Sequence, residues 1–284
     1  MSEWEQFYST VSSRVREFKR VWGKTAVPFF RGHGDNRWKL LPSALRANCD
    51  CATCAKDGGR YIEQSLYYEY VSGAGMLLEN NLSSWNVAFS MQHYGLPTRL
   101  LDWTENFSVA LFFAVRELAK NDSENGVLWF LDQYWLNSGT YKRDEILDVD
   151  ADFKHDYYTY FWADQPEDED EARDKAFPYS AVAIYPQRQN PRISAQKGGF
   201  TLHGSREPLE DWYQSMLENS PARDATGQKF MPQHLLVQPF TLTRASLNDA
   251  ENYLEMAGVN EYTVYPELSG LCQYLRRRFE EHLK

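Results

Sequence analysis

The sequence predicts a domain that mixes helices with short strands, and three kinds of pattern support this. Apolar residues recur at helical spacing at both ends of the chain, over Ser2–Trp22 and Pro266–Leu283. Short apolar runs between them, such as Gly126–Leu131 and Ala181–Tyr185, are typical of buried strands. A central stretch, Met91–Val115, joins a dense polar cluster directly to an apolar helix. At 284 residues the chain forms one large domain or two small ones.

Helices and strands can be assigned along the chain from this spacing. The N-terminal helix begins with Ser2 and Glu5 in a capping-box pattern. The other predicted helices are Pro42–Arg46, Tyr61–Leu78, Pro208–Leu217, Leu247–Ala257 with Gly258 as its stop, and the C-terminal helix. The predicted strands and extended segments are Ala26–Arg31, Gly126–Leu131, Ala181–Tyr185, Ile193–Gln196, Phe200–Leu202, Leu235–Phe240 and Glu261–Tyr265. The pair Gly198-Gly199 is predicted to form a turn or a bulge.

The central stretch is predicted to form a helix, a turn, a strand and a second helix. Trp85–Tyr94 has helical spacing, and Gly95 suits the left-handed position after its last turn. Thr98–Trp103 is short and extended. Thr104 is a candidate N-cap for a helix from Glu105, which is apolar nearly all round and therefore expected to be buried.

Seven polar side chains precede that buried helix. They are Gln92, His93, Tyr94, Thr98, Arg99, Asp102 and Thr104. A buried polar group costs roughly 1–3 kcal/mol when it is left unpaired. The cluster is therefore either an internally satisfied network or one wall of a pocket.

Charge and hydropathy narrow the class of protein. The net charge of −10 argues against binding nucleic acid mainly through phosphate contacts, although a locally basic cleft is compatible with it. No segment approaches about 18 uncharged apolar residues, so no membrane span is expected. The first residues, MSEWEQF, place acids where a signal peptide needs basic and then apolar residues. We therefore expect a cytoplasmic protein with reduced thiols and no membrane partner.

Two further segments stand out by composition. The acidic run Asp164–Asp174 is typical of a solvated loop, and Tyr134–Asp174 is the predicted weak point between subregions. Three of the four cysteines, Cys49, Cys51 and Cys54, fall within six residues. A zinc site would need a fourth ligand, so we predict that these thiols bind no stoichiometric metal. Cys272 is expected to be a small core residue of the C-terminal helix.

Arg31 extends directly from a predicted strand, and two roles are open for it. It can form a salt bridge with an acid such as Asp102, or its fork can clamp an anion. Gln196 and Lys197 stand where either a site residue or an ordinary hairpin is possible. His33, His93 and His203 lie in the same three stretches as Arg31, Arg99 and Gln196.

Several common chemistries lack their motifs here. The sequence has no P-loop, no GxGxxG, no GxSxG and no HExxH. The carboxylates are not paired in an apolar context, which weakens a glycosidase assignment.

The segments FFRGHGD, QHYGLPTRLLDWTENFSVALFFA and AQKGGF together resemble the FRG domain. That family is named for a Phe-Arg-Gly motif, here Phe30-Arg31-Gly32. The resemblance covers roughly Val27–Phe200 and extends to Pro266–Leu271. It implies a single FRG-type domain over residues 1–284, with a motif core at about 27–204 that residues 205–284 complete.

A second resemblance is to ADP-ribosyltransferases of the arginine–serine–glutamate type. Arg31-Gly32 resembles their first element, and Thr98–Thr104 with the following helix resembles their second. Gln196 stands at the third element, where the family has Glu or Gln. The resemblance implies an α+β fold, with a split mixed sheet flanked by helices and a cleft for NAD. The departure is that no Glu lies near the third element, Glu207 being the nearest in sequence.

This second resemblance also implies roles for particular residues. The implied catalytic residues are Arg31, Asp102, Thr104 and Gln196. The implied NAD-binding residues are Arg31, Gly32, His33, Tyr94, Thr98, Arg99 and Trp103. We expect Arg31, Arg99, Asp102 and Gln196 to converge in one cleft.

The implied function is that of an NAD-dependent mono-ADP-ribosyltransferase that modifies nucleic acid, such as RNA, or protein. A toxin or anti-phage defence effector, with an antitoxin or regulatory partner, fits this implication. The alternative is a non-catalytic FRG module that binds a nucleotide or RNA phosphate through Arg31, Arg99 and the basic segment Arg188–Lys197.

Overall fold

A computed structural model describes residues 1–46, 60–77, 82–141, 143–152, 156–157, 181–186, 191–213 and 236–283. The clustered cysteines at 49–54 and the acidic run at 164–174 lie outside these residues. The predicted subregion boundary at 134–174 and the predicted helix at 208–217 lie only partly within them. Within the described part, residues 209–213 are helical.

The described strands form one mixed, seven-stranded sheet. They are β1 (Phe29–His33), β2 (Leu100–Thr104), β3 (Asn125–Leu131), β4 (Leu147–Asp148), β5 (Ala181–Tyr185), β6 (Gly198–His203) and β7 (Val237–Thr243). Their order across the sheet is β4-β5-β6-β2-β1-β3-β7. The β4–β5 pair is parallel, and all the other neighbours are antiparallel.

Helices flank this sheet, as the sequence predicts. They are α1 (Glu3–Trp22), α2 (Ser43–Arg46), α3 (Arg60–Ala74), α4 (Ser84–His93), α5 (Phe107–Lys120), α6 (Gln133–Tyr141), α7 (Val149–Asp152), α8 (Pro191–Ala195), α9 (Leu247–Met256), α10 (Glu261–Val264) and α11 (Leu268–His282). Short 3₁₀ turns at Gly75–Leu77 and Arg244–Ser246 follow α3 and precede α9. Among the described residues, no helix combines the length and the apolar character that crossing a membrane requires.

The predicted capping box starts α1. Ser2 Oγ accepts from the Glu5 main-chain N at 3.1 Å, and the Ser2 main-chain N donates to Glu5 Oε2 at 2.8 Å. These bonds satisfy main-chain groups that a helix start would otherwise leave unpaired. The helix then buries Phe7, Val11 and Phe18 against the sheet.

The core divides between the two faces of the sheet. On the first face, one apolar cluster packs β1, β3 and β7 against α1, α5 and α9. A second cluster on that face packs β2, β5 and β6 against α3 and α4. A third cluster covers the second face and includes α6 and residues 209–213. The first face therefore has a boundary between two helical layers, and that boundary runs over β1 and β2.

The sheet separates at this same boundary. β1 and β2 are paired only through Phe30 and Thr104, whereas β1–β3 and β2–β6 each pair over five positions. Continuing the β1–β2 register would set Gly32 opposite Asp102, but no such pair forms. The sheet is thus mixed, flanked by helices and opened between β1 and β2.

Gly32 is required at this point by a close approach of β1 to α5. A Cβ atom there would lie 1.9 Å from the Ala110 main-chain O and 2.7 Å from the Ala114 main-chain N. Both contacts are with backbone, which cannot move aside as a flexible side chain does. The small residues of α5 and the glycine of Phe30-Arg31-Gly32 therefore fit together as one packing unit.

Two segments predicted as extended are helical. The prediction for 193–196 is wrong because Pro191, with its fixed φ, begins α8. The prediction for 261–265 is wrong because Asn260 caps α10, accepting from the main-chain N of both Tyr262 and Thr263. In both segments the local start signal outweighs the alternation of apolar residues.

Three smaller predictions are also corrected. Thr104 ends β2 and is not the N-cap of α5; Asn106 is, accepting from the Ser108 main-chain N at 3.0 Å. Gly198 and Gly199 belong to β6, and at Gly199 a Cβ would lie 2.3 Å from Phe29 Cζ. Cys272 is exposed because α11 packs mainly on α10 and turns this side to solvent.

Candidate functional site

A cavity of about 230 Å³ opens on the first face, above the point where β1 and β2 separate. Its walls come from both strands, from β6, and from α4, α5 and α8. The lining residues are Phe30, Arg31, Gly32, Phe89, Gln92, His93, Asp102, Trp103, Thr104, Ala110, Phe113, Glu117, Arg192, Ile193, Gln196, Gly198, Gly199 and Phe200. The predicted convergence therefore holds for Arg31, Asp102 and Gln196, which are far apart in sequence.

Arg31 occupies the gap between the separated strands. The register of β1 starts its side chain on the second face, yet Nη1 donates to the Asp102 main-chain O at 2.7 Å. Nη1 also lies 3.7 Å from Asp102 Oδ2, and the side chain is 21% exposed. Nη2 has no hydrogen-bond partner among the residues that the structure describes. Burial lowers the pKa of Arg31, and the carboxylates of Asp102 and Glu117 oppose that shift.

His33 fixes the orientation of Arg31. Its Nε2 accepts from Arg31 Nε at 2.8 Å, so the proton of the neutral ring is on Nδ1. Burial first, and the Arg31 charge second, lower the pKa of His33 to about 2. The ring is therefore neutral at pH 7 and can accept this bond. His33 itself does not line the cavity and supports Arg31 from behind.

Asp102 is held by a short series of polar groups. Its Oδ2 accepts from Gln92 Nε2 at 2.8 Å, and Gln92 Oε1 accepts from Thr98 Oγ1 at 2.5 Å. Thr98 is buried and does not line the cavity. Thr98 was predicted to bind NAD, but it reaches the site only indirectly, by positioning Gln92. The Asp102 side chain is 55% exposed, so one carboxylate oxygen remains open to solvent.

Thr104 and Gln196 form the opposite wall. Thr104 Oγ1 donates to the Gln196 main-chain O at 2.5 Å and accepts from the Asn106 main-chain N at 2.9 Å. Gln196 Nε2 donates to the Val264 main-chain O at 3.2 Å. Gln196 Oε1 has no partner among the described residues and remains an acceptor beside the cavity.

Sequence reasoning did not assign Glu117 to the site, and it included Arg192 only within the segment 188–197 of the phosphate-binding alternative. Glu117 follows Ala110 and Phe113 at helical spacing, so its helical face was a signal that could have found it. The Arg192 guanidinium lies 4.6 Å from the Tyr265 ring centroid, and its Nη1 donates to the His93 main-chain O at 3.4 Å. Burial and the Arg192 charge lower the pKa of His93, which favours its neutral form.

Arg99 does not join the cavity, and the convergence prediction is wrong for this residue. Its side chain is fully buried and forms an ion pair through Nε with Glu63 Oε2. Its main-chain N also donates to Glu63 Oε1 at 2.8 Å, and Tyr157 Oη donates to the same carboxylate. Arg99 is thus part of a buried network that joins β2 to α3.

The two aromatic residues with an implied role in NAD binding, Trp103 and Tyr94, differ in position. Trp103 contributes to the cavity wall, but its indole packs on the second face, where Nε1 donates to Thr201 Oγ1 at 2.9 Å. Tyr94 does not line the cavity and is 72% exposed, next to His93 at 4.8 Å between ring centroids. The Trp103 ring is therefore not available inside the cavity, whereas the Tyr94 ring is open to solvent beside His93, which does line the cavity.

The described residues contain no group of three or more His, Cys, Asp or Glu side chains placed to hold a metal ion. The polar side chains that line the cavity include two arginines, two carboxylates and two amides: Arg31, Arg192, Asp102, Glu117, Gln92 and Gln196.

This arrangement defines a mixed α/β protein whose sheet opens at an arginine beside a polar cavity. Residues 27–123 match the family model of the FRG domain. The match runs from just before β1 to just after α5 and therefore includes both separated strands. A search of curated proteins found no match. A search of solved structures likewise found none.

Proposed function

We propose that this protein is an NAD-dependent mono-ADP-ribosyltransferase and that NAD binds at the cavity between β1, β2 and β6. The observation that carries the proposal is the placement of Arg31 in the gap between separated strands, with Asp102 and Gln196 facing the same cavity. Convergent polar groups in a concave site are the usual mark of a binding or active site.

Arg31 is the proposed contact for a phosphate of NAD. His33 and the Asp102 main-chain O already hold Nε and Nη1, so the side chain loses little freedom when a ligand binds. Nη2 is left to donate, and a guanidinium bond to phosphate is charge-assisted. Gly32 brings this part of β1 against α5 and so keeps the cavity wall in place.

The opposite wall is proposed to bind the ribose. Gln196 Oε1 can accept from a ribose hydroxyl, because Val264 already takes the Nε2 donor. Asp102 can accept from a second hydroxyl or receive a proton from the nucleophile. Thr104 holds the Gln196 backbone and so positions this wall.

The size of the cavity limits how much of a dinucleotide it can enclose. Small-molecule pockets commonly measure roughly 300–1,000 Å³, and this cavity is about 230 Å³. We therefore propose that it encloses the nicotinamide and its ribose, while the adenosine part lies over the rim near Tyr94 and Arg192. The exposed Tyr94 ring can stack on a base there.

The proposed acceptor is nucleic acid, such as RNA, or protein. Lys197 is exposed and adjoins Gln196, and with Arg192 it gives local positive charge at the cavity rim of a protein whose net charge is −10. A cytoplasmic toxin or anti-phage effector, kept inactive by an antitoxin or regulatory protein, is the proposed setting.

The test is to incubate purified protein with NAD and to measure nicotinamide release, alone and with RNA or with lysate protein. Label from the adenine ring of NAD should then appear on one of these acceptors. The matched variant Arg31→Ala should abolish the release, while Arg20→Ala, on the exposed face of α1, should not. No release with any acceptor would contradict the proposal.

The alternative is a non-catalytic module that binds a nucleotide or RNA phosphate. The observation in its favour is that Gln196 stands at the third element of the ADP-ribosyltransferase pattern, where its amide supplies no negative charge. Saturable binding of NAD or of an RNA oligonucleotide, without nicotinamide release, would support this alternative.

A further inference from the structure

We infer that Glu117 supplies the negative charge that the proposed reaction needs at the ribose, in place of a carboxylate at Gln196. The inference rests on the proposed function and concerns the same cavity.

The proposed reaction has a definite electronic requirement. The bond between the anomeric carbon of the ribose and the nicotinamide nitrogen breaks, its electron pair stays on nitrogen, and neutral nicotinamide leaves. The anomeric carbon becomes positive in the transition state, and an acceptor oxygen or nitrogen then bonds to it and releases its proton to Asp102, the proposed base. Glycoside cleavage of this kind relies on a carboxylate near that carbon.

Gln196 cannot meet this requirement. Its amide carries no charge, and its Nε2 is engaged with the Val264 main-chain O. Among the described residues that line the cavity, the carboxylates are Asp102 and Glu117.

Asp102 is the weaker source of charge. It lies 3.7 Å from the Arg31 guanidinium, accepts from Gln92, and has a side chain that is 55% exposed. A nearby cation offsets its field, and water screens it further.

Glu117 has the opposite environment. It projects from α5 on the same helical face as Ala110 and Phe113 and is half-buried in the cavity wall. Its Oε2 accepts from the Gly34 main-chain N at 3.1 Å, and Oε1 has no partner among the described residues. No described basic side chain lies within ion-pair distance of it, although its charge does favour the protonated form of Arg31.

The position of Glu117 is fixed by the elements around it. At Gly34, a Cβ atom would lie 2.4 Å from Glu117 Cβ and 2.4 Å from the carbonyl carbon of the same residue. The end of β1 therefore packs against the backbone that carries the carboxylate. A rigid, incompletely paired charge in a partly enclosed site suits electrostatic stabilisation of a transition state.

The test compares Glu117→Gln with Asp102→Asn, using Glu255→Gln on the exposed part of α9 as the control. The amide oxygen that Glu117→Gln introduces can still accept from the Gly34 main-chain N, so the local packing should persist. Each variant is measured for thermal stability, for NAD affinity by titration and for nicotinamide release. We expect Glu117→Gln to lower the maximal release rate by about 100-fold while changing the NAD affinity by less than about threefold.

Asp102→Asn should weaken NAD affinity, because Asp102 adjoins Arg31. It should lower the rate of nicotinamide release less than Glu117→Gln does, because the proton that Asp102 receives leaves the nucleophile only after the bond to nicotinamide breaks. If wild-type protein releases nicotinamide and Glu117→Gln does so at a similar rate, the role of Glu117 is wrong and the proposed function stands. If wild-type protein binds NAD and releases no nicotinamide, the proposed function is wrong, and the role of Glu117 is wrong with it.

Discussion

Arg31 Nη1 donates to the main-chain O of Asp102 at 2.7 Å, across the gap where β1 and β2 have separated. A side chain thus occupies the position where strand pairing would otherwise continue. The same guanidinium is held by His33 on one side and faces the cavity on the other. Arg31 therefore contributes both to the structure of the opened sheet and to the charge of the site.

Arg31→Lys should impair function almost as much as Arg31→Ala, while Arg31→Lys lowers the melting temperature less. A lysine keeps the charge but has a single ammonium, which cannot reach His33, Asp102 and a ligand together. Losing a charge-assisted hydrogen bond costs roughly 1.5–3 kcal/mol, or about ten- to a hundredfold in affinity or rate. NAD titration and nicotinamide release, measured alongside thermal melting, check this.

Arg20→Lys, on the exposed surface of α1, is the matched control and should leave all three measurements unchanged. Near-full activity in Arg31→Lys would contradict the proposal that Nη2 binds the phosphate while His33 and Asp102 hold Nε and Nη1. A large loss of melting temperature with full activity in the remaining folded protein would indicate that Arg31 is purely structural.

Gly32→Ala should destabilise the fold by about 2–3 kcal/mol, because overpacking against a rigid neighbour commonly costs roughly 1–3 kcal/mol or more. The new Cβ would lie 1.9 Å from the Ala110 main-chain O, so β1 and α5 must move apart. Denaturant unfolding measures the loss. NAD affinity should fall as well, since both elements form the cavity wall.

Gly73→Ala provides the comparison in the same assay. Gly73 lies in α3, and a Cβ there would meet nothing within 4 Å. Replacing an unhindered helical glycine should stabilise the protein by about 0.5–1 kcal/mol. Equal effects of the two substitutions on stability would show that β1 and α5 leave room for a Cβ atom at residue 32.

Arg99→Met should lower the free energy of unfolding by about 3–5 kcal/mol, since it leaves the Glu63 carboxylate buried without its cation. At a temperature where the variant is folded, NAD affinity should match the wild type, because Arg99 does not line the cavity.

The double variant Arg99→Met with Glu63→Leu should recover part of that stability, since neither charge is then buried. Recovery should be incomplete because Tyr157 Oη also donates to Glu63. If the folded Arg99→Met variant lost NAD affinity, Arg99 would have to contribute to NAD binding after all.

His203→Gln should make stability less dependent on pH between about pH 6 and pH 4. His203 is buried beside Thr201, and burial lowers its pKa from 6.5 to about 3. As the pH falls below 6.5, the unfolded protein takes up a proton on this residue and the native state does not. Stability from His203 is therefore present above pH 6.5 and is lost as the pH falls toward 3.

The measurement is the free energy of unfolding of both proteins across this pH range. The difference between wild type and His203→Gln should shrink by about 1.4 kcal/mol for each pH unit. Asp132 changes stability with pH in the opposite direction, because burial raises its pKa to about 6. Both proteins contain Asp132, so its contribution cancels in the difference between their free energies of unfolding. Parallel curves would mean that His203 is protonated in the native state.

Cavity residues were predicted best where a polar residue stands out from the apolar strand that carries it. Arg31, Asp102 and Thr104 lie on strands whose polar residues interrupt apolar runs, and that contrast is visible in the sequence itself. Arg99 stands in the same polar cluster but faces Glu63, which is 36 residues earlier. Nothing in the local pattern separates a buried ion pair from a residue that lines a cavity, because both place charge beside apolar residues.

Segments with competing local signals were predicted less well. Residues 193–196 were expected to be extended, and Pro191 begins a helix there instead. The C-terminal helix was predicted, but the exposure of Cys272 depends on how little of the fold α11 contacts. Spacing along a helix identifies an apolar face and cannot say whether another element covers it.

The sequence by itself determined the helices and most strands, the placement of the Phe30-Arg31-Gly32 motif on a strand, and the presence of a polar cluster ahead of α5. These features follow from local propensity, capping and the period of apolar residues. Only the tertiary structure decided that β1 and β2 separate, that Arg31 fills the gap, that Arg99 pairs with Glu63, and that Glu117 faces the cavity. Those relationships join residues distant in sequence, and packing of whole elements sets them, so they lie beyond any local window of the sequence.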